Sequence, residues 1–121
     1  VGDIATYPAP EGPRRIEHWR VAQQQGRIAA LNMLGESQPF DRVPFFWTTH
    51  FGTRFEYLGY AREWDSMKML GSFENKRFAV LYGQEGMLKA VLSCGENTAT
   101  AELVLKMQEP LTMRAASELL S

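Results

Sequence analysis

The residues best suited to chemistry lie in the first half of the chain. Gly2-Asp3 sets a carboxylate beside a residue without a side chain. Such a pair can accept hydrogen bonds from sugar-like hydroxyls while the backbone approaches a pyrophosphate, and it also occurs in ordinary turns. Glu17-His18-Trp19 brings a carboxylate, a titratable imidazole and an indole to the start of a helical pattern. There the positive end of the helix dipole suits an electron-rich ring or an anion. The same residues also read as a surface histidine cap and a first-turn partner of the dipole. Trp47 follows two phenylalanines and reads as a core aromatic on a strand.

Other chemistries lack their residues. Cys94 is the only cysteine, so neither an internal disulfide nor a catalytic dithiol can form, and a small buried strand residue is the expectation for it. With only His18 and His50 besides, zinc-type ligand spacing is absent and no metal site is expected. The chain contains no G-x-G-x-x-G, no P-loop, no G-x-S-x-G and no spaced Ser-His-Asp set, so it offers neither a complete dinucleotide cradle nor hydrolase machinery. Thirteen basic residues against fourteen acidic ones leave a formal charge of −1, which argues against nucleic acid as a partner. No apolar run is long enough to span a bilayer. A reducing compartment is expected, and the chain, starting at Val1 and without a leader, reads as an excised piece.

The elements that must position these residues follow from periodicity. At 121 residues, 45% of them hydrophobic, the chain can bury a core. A strand is expected to end near Gly2-Asp3, followed by the proline-rich loop of residues 7–13. Residues 15–33 predict a helix with Ile16, Trp19, Ala22, Gly26, Ala29, Ala30 and Met33 on its apolar face and Gly35 at its stop. The narrow stripe of Ala22, Gly26 and Ala29 would admit a backbone or a flat ligand, and it equally fits ordinary packing of a helix on a sheet. After a loop over 36–43, apolar runs at 44–50, 54–62, 67–73, 77–82 and 87–94 predict five strands separated by short turns, most economically an antiparallel meander. Phe55, Tyr57, Gly59 and Ala61 are expected on one face and Phe78, Val80 and Tyr82 on another, with Lys68, Arg77 and Lys89 in solvent. A helix over 97–107, capped by Asn97 or Thr98, would cover the sheet, and a last helix would follow Thr112 over 113–120. The fold class is therefore α+β.

Taken in order, Val1-Gly-Asp-Ile-Ala, the Glu17-His18-Trp19 helix start, the Ala22 and Gly26 face and Val43-Pro-Phe-Phe-Trp47 resemble the end of the FAD-dependent pyridine-nucleotide reductases, in the apoptosis-inducing-factor and ferredoxin-reductase group. The resemblance implies that residues 1–42 are the tail of an FAD-binding domain and 43–121 a reductase C-terminal domain. It implies FAD in the intact parent, with NADH or NADPH as electron donor and an unknown acceptor. Asp3 would hold the ribityl chain, while Glu17, His18, Trp19 and Trp47 would lie near flavin and nicotinamide. The piece alone would not be a complete enzyme and would pack on the FAD and NAD(P)H domains of its own chain. Where the resembling enzymes carry an acidic or amide residue after the tryptophan, this chain has Thr48-Thr-His50. The group suggests a mitochondrial or cytoplasmic setting. The alternative is an interaction or homodimerisation module with a cell-death role, using Tyr60, Trp64 and Phe73.

Overall fold

In the computed structural model, which describes residues 1–95 and 97–120 and only the backbone of 97 and 98, the chain forms two units, Val1–Arg42 and Val43–Ser121. The second unit contains a five-stranded antiparallel sheet: β1 (Phe45–His50), β2 (Thr53–Gly59), β3 (Ser66–Ser72), β4 (Arg77–Gln84) and β5 (Met87–Cys94). Two helices follow, α2 (Asn97–Lys106) and α3 (Met113–Leu119). Numbering the helix of the first unit α1 (Trp19–Met33), the fold class is α+β as expected.

The strand order is β1-β2-β5-β4-β3, which corrects the expected meander. β2 pairs with β5 instead of β3, and residues 60–65 carry the chain to the opposite edge. The cause is burial. β4 and β5 are apolar on both faces, with Leu81, Ala90 and Val91 fully buried, so they occupy the centre. β3, with Met67 and Met69 exposed, takes an edge.

The register also corrects the expected faces. Phe55 and Phe78 both pair with Cys94, and Tyr57 and Val80 both pair with Leu92, so the two aromatic sets share one face. Phe55, Phe78 and Phe73 form a chain of ring contacts there, and Trp64 lies edge-on to Tyr82. The opposite face carries Leu58, Leu81 and Val91, closed by Leu103 of α2 and Ala116 of α3. Each large apolar side chain fully buried there stabilises the fold by about 1.5–3 kcal/mol. Lys68 is exposed as expected, and on the helical side its Nζ donates to Ser117 Oγ of α3 at 2.6 Å. Thr112 caps α3 by accepting from the Ala115 amide. The expected cap at Asn97 or Thr98 lies outside the described residues' side chains.

In the first unit, α1 starts at Trp19, four residues later than periodicity suggests. Arg14 is held in a bridge with Tyr7, and His18 takes an extended conformation (φ −149°, ψ 133°) as the helix cap. At the other end, Gly35 adopts φ 98° while the Glu36 amide bonds back to Leu31, the expected glycine stop. The buried residues of α1 are Val21 and Gln25, while Trp19 and Met33 are exposed. The buried residues of α1 are thus not those of the expected apolar stripe. No strand forms over residues 1–6. The Ala5 amide bonds to the Gly2 carbonyl and makes a turn, because no neighbouring strand among the described residues supplies a ladder.

Two glycines give opposite expectations. Gly59 has φ 76°, and a Cβ there would lie 2.2 Å from the Lys89 carbonyl oxygen. Gly59→Ala should therefore destabilise the chain by about 2 kcal/mol or more. Gly26 lies mid-helix with nothing within 4 Å of a built Cβ, so Gly26→Ala should stabilise it by about 0.5–1 kcal/mol. Urea denaturation of both variants checks the pair, and equal midpoints would contradict the assignment.

Candidate functional site

In the first unit the expected site residues are built around the start of α1. Gly2 has φ 84°, a conformation that favours glycine, and its amide donates to Gln25 Oε1 at 2.9 Å. This bond fixes the Gly2-Asp3 turn against the helix and leaves the Asp3 carboxylate exposed. Gln25 was not singled out from the sequence, where it reads as one more polar residue in Gln23-Gln-Gln25. Its position one helical turn after Val21 was the available signal.

His18 caps α1 with its ring, Nδ1 accepting from the Arg20 amide at 3.2 Å. That bond requires Nδ1 unprotonated, so the neutral imidazole carries its proton on Nε2. Burial pushes the His18 pKa down from its ordinary value. The Asp3 carboxylate opposes that shift and the Arg20 guanidinium adds to it. Asp3 and His18 are therefore within electrostatic reach of each other. The Trp19 ring lies beside His18, centroids 5.7 Å apart, and is more than half exposed. Glu17 precedes the helix and pairs with Arg15, which corrects its reading as a first-turn residue; no acidic side chain occupies that turn. The unit also holds an open groove of about 220 Å³ lined by Tyr7, Gln25, Ile28, Asn32 and Phe40 among others. None of the expected site residues lines it.

In the second unit, Trp47 lies on β1 opposite Glu56 of β2. The Arg54 guanidinium stacks over the indole, 4.7 Å from its centroid, and Phe45 lies beside it at 5.9 Å. Glu56 is buried and takes two contacts from Arg54 on Oε1, from Nε at 2.9 Å and from Nη2 at 2.8 Å. Its Oε2 accepts from the Thr100 hydroxyl of α2. Sequence reading missed this group, since residues 54–62 read simply as an alternating strand. His50 is exposed at the end of β1, its ring near Thr48 Oγ1 and Phe55. Cys94 is buried as expected and donates from Sγ to the Lys76 carbonyl. Among the described residues no His, Cys, Asp and Glu cluster is arranged to hold a metal, and no helix is long and apolar enough to cross a membrane.

This architecture is that of the ferredoxin reductases. The whole chain superposes on part of the covalent putidaredoxin reductase–putidaredoxin complex with a TM-score of 0.82 and 22% identity, covering 29% of that chain. No family model matches the chain. In sequence it is 36% identical over 95 residues to apoptosis-inducing factor 3 of Mus musculus, which covers 76% of this chain and 16% of that protein. It is 32% identical over 101 residues to the 5,5'-dehydrodivanillate O-demethylase ferredoxin reductase subunit of a Sphingobium species, covering 81% of this chain and 24% of that one. The chain belongs to the pyridine-nucleotide reductase family of the ferredoxin reductases and apoptosis-inducing factor, and matches its C-terminal domain. It spans only about a sixth to a quarter of the length of these two relatives.

The His18 cap has a pH signature. Because its folded pKa lies below the unfolded value, the unfolded chain binds the proton more tightly, and the cap's contribution is complete above about pH 6.5. It is lost as pH falls through the folded pKa. His18→Asn, which can cap without titrating, should flatten thermal stability between about pH 7 and 5 relative to wild type. Melting curves across that range, with NMR titration of His18, check it; parallel pH profiles would show that the cap does not titrate.

Proposed function

We propose that this chain is the C-terminal part of an FAD-dependent NAD(P)H oxidoreductase and completes its flavin and nicotinamide pocket. Residues 1–42 act as the tail of the FAD-binding domain, and residues 43–121 as the α+β domain that packs on the FAD and NAD(P)H domains of the same chain. The observation that carries the reading is the joint placement of Asp3 and His18 at the start of α1, with Gly2 anchored by Gln25.

The donor set fits one part of a flavin dinucleotide. Asp3 is an exposed acceptor suited to ribityl hydroxyls, and the glycine before it keeps the backbone approachable. The first turn of α1 contains no carboxylate to offset its positive dipole end, which favours an electron-rich ring. A neutral His18 with its proton on Nε2 can donate a hydrogen bond, and Trp19 and Trp47 supply flat apolar walls. The exposed carboxylate of Glu17 completes the expected set. The phosphate-gripping strand–turn–helix is not among these residues. Bound FAD would accept hydride equivalents from NADH or NADPH and pass electrons to an external acceptor. The residues of this chain bind, orient and exclude water.

The reading is supported by the relatives' names, which denote ferredoxin reductases and an apoptosis-inducing factor, and goes with a mitochondrial or cytoplasmic setting. A second reading, an interaction or homodimerisation module with a cell-death role, is favoured by the exposure of Trp64 and Phe73. Tyr60 is half-buried. Yellow full-length protein supports the first reading, and a colourless full-length protein that binds a partner tightly supports the second.

In the intact parent, Asp3→Ala should weaken FAD binding by about one to two decades, the equivalent of a charge-assisted hydrogen bond of about 1.5–3 kcal/mol. Trp64→Ala should leave it near wild type. Flavin titration with circular dichroism of both apo-proteins checks this, and unchanged affinity in a folded Asp3→Ala protein would remove Asp3 from the site. The isolated chain should bind FAD weakly or not at all; micromolar retention in equilibrium dialysis would contradict that.

A further inference from the structure

We propose that Arg54 is the positioning residue that sets the plane of the Trp47 indole, and that a buried carboxylate relay through Glu56 and Thr100 holds it in place. The proposal deepens the reading of Trp47 as a wall of the flavin and nicotinamide pocket. Taken alone, the Arg54 contact is a partly exposed guanidinium on a half-buried ring, with the side chain of Arg54 42% exposed. An exposed ion pair of that kind holds a side chain weakly.

The partner changes the balance. The Glu56 side chain is 4% exposed, and a carboxylate so buried requires compensation for lost hydration. Arg54 provides it through two nitrogens converging on Oε1, which fixes both the direction and the tilt of the guanidinium. Oε2 is engaged by the Thr100 hydroxyl, so the carboxylate cannot rotate without breaking a contact to α2. Thr100 is fully buried on α2, the same helix whose Leu103 is in the core. The ring is thereby tied through Arg54 and Glu56 to the packing of the sheet and its covering helix. Trp47 and Glu56 are direct partners on neighbouring strands, which allows Arg54, two residues before Glu56, to reach both.

A stacked cation also alters the indole, since the positive charge over its face withdraws electron density and changes its optical transitions. A role confined to stability would not require that signature. A lysine at position 54 separates the two roles. It can keep a charge near Glu56, but it lacks the planar fork that grips one oxygen twice while covering a ring.

The test uses the 121-residue chain in a Trp19→Phe, Trp64→Phe background, where Trp47 is its sole indole. Near-ultraviolet circular dichroism and acrylamide quenching are measured for Arg54, Arg54→Met, Arg54→Lys and Thr100→Val, with far-ultraviolet spectra and melting curves as fold controls. A contact of this strength biases the ring's orientation by about two- to fivefold. Arg54→Met should therefore lower the Trp47 band by about twofold or more and raise quenching while the far-ultraviolet spectrum stays unchanged. Arg54→Lys should recover melting temperature more than the band, and Thr100→Val should give a smaller loss of the same kind. Folded Arg54→Met protein with an unchanged Trp47 band and quenching overturns the proposal, as does full recovery of the band by lysine. Flavin fluorescence of the FAD-loaded parent and its Trp47→Phe variant tests the underlying reading separately. No difference there removes Trp47 from the pocket, whatever the ring's behaviour in the first measurement.

Discussion

The second unit depends on the double burial of its two central strands. β4 and β5 present apolar side chains on both faces, and neither can remain at an edge without exposing one of them. Pairing β5 with β2 as well as β4 places Leu81 and Val91 beneath α2 and α3 and leaves β1 and β3 as the borders. The helices complete this arrangement: α3 packs on β4 and β5 and α2 on the adjoining β2, so that Leu103 and Ala116 join Leu58, Leu81 and Val91 in one buried cluster. The connection over residues 60–65 is the consequence: β3 must cross to the far side of the sheet to find a partner.

The first unit is held in a different way. Val21 and Gln25 are its only buried residues among those described, and much of its order comes from polar contacts. Gln25 anchors Gly2, His18 closes the helix start, and Asn32 takes both a donor and an acceptor contact with the Gln38 backbone. Segments ordered in this manner open more easily than a packed sheet, since water competes for each of their bonds. Of the residues proposed to meet the cofactor, Asp3, Glu17, His18 and Trp19 thus lie on the polar unit, while Trp47 belongs to the apolar one and is tied to it by Arg54 and Glu56.

Family membership gives these local facts their setting. The chain corresponds to a small share of each relative, so a pocket completed from several segments suits the absence of a phosphate-binding loop in these residues. The Thr48-Thr-His50 segment departs from the acidic or amide residues expected after the tryptophan, and His50 is exposed at the end of β1. The position is therefore accessible for a contact of different chemistry, and an imidazole changes both charge range and donor pattern relative to a carboxylate.

The amino-acid sequence alone determined the kinds of element and most of their extents, because those rest on local periodicity and turn residues. The five apolar runs, the glycine stop at Gly35 and the Thr112 cap are read from side chains a few residues apart. It also carried the ordered motifs by which the family is recognised. Strand order was beyond local reading, since a meander and the observed arrangement use the same strands and differ in which long-range pair buries more apolar surface. The same holds for the start of α1, which is delayed by the Tyr7–Arg14 bridge and the extended His18. Gln25, Glu56 and Thr100 look like ordinary polar residues until tertiary structure brings a distant partner to each, and Arg54 until strand pairing sets it over Trp47. Only the folded chain decides which polar atoms lose water, and that loss is what makes their contacts specific.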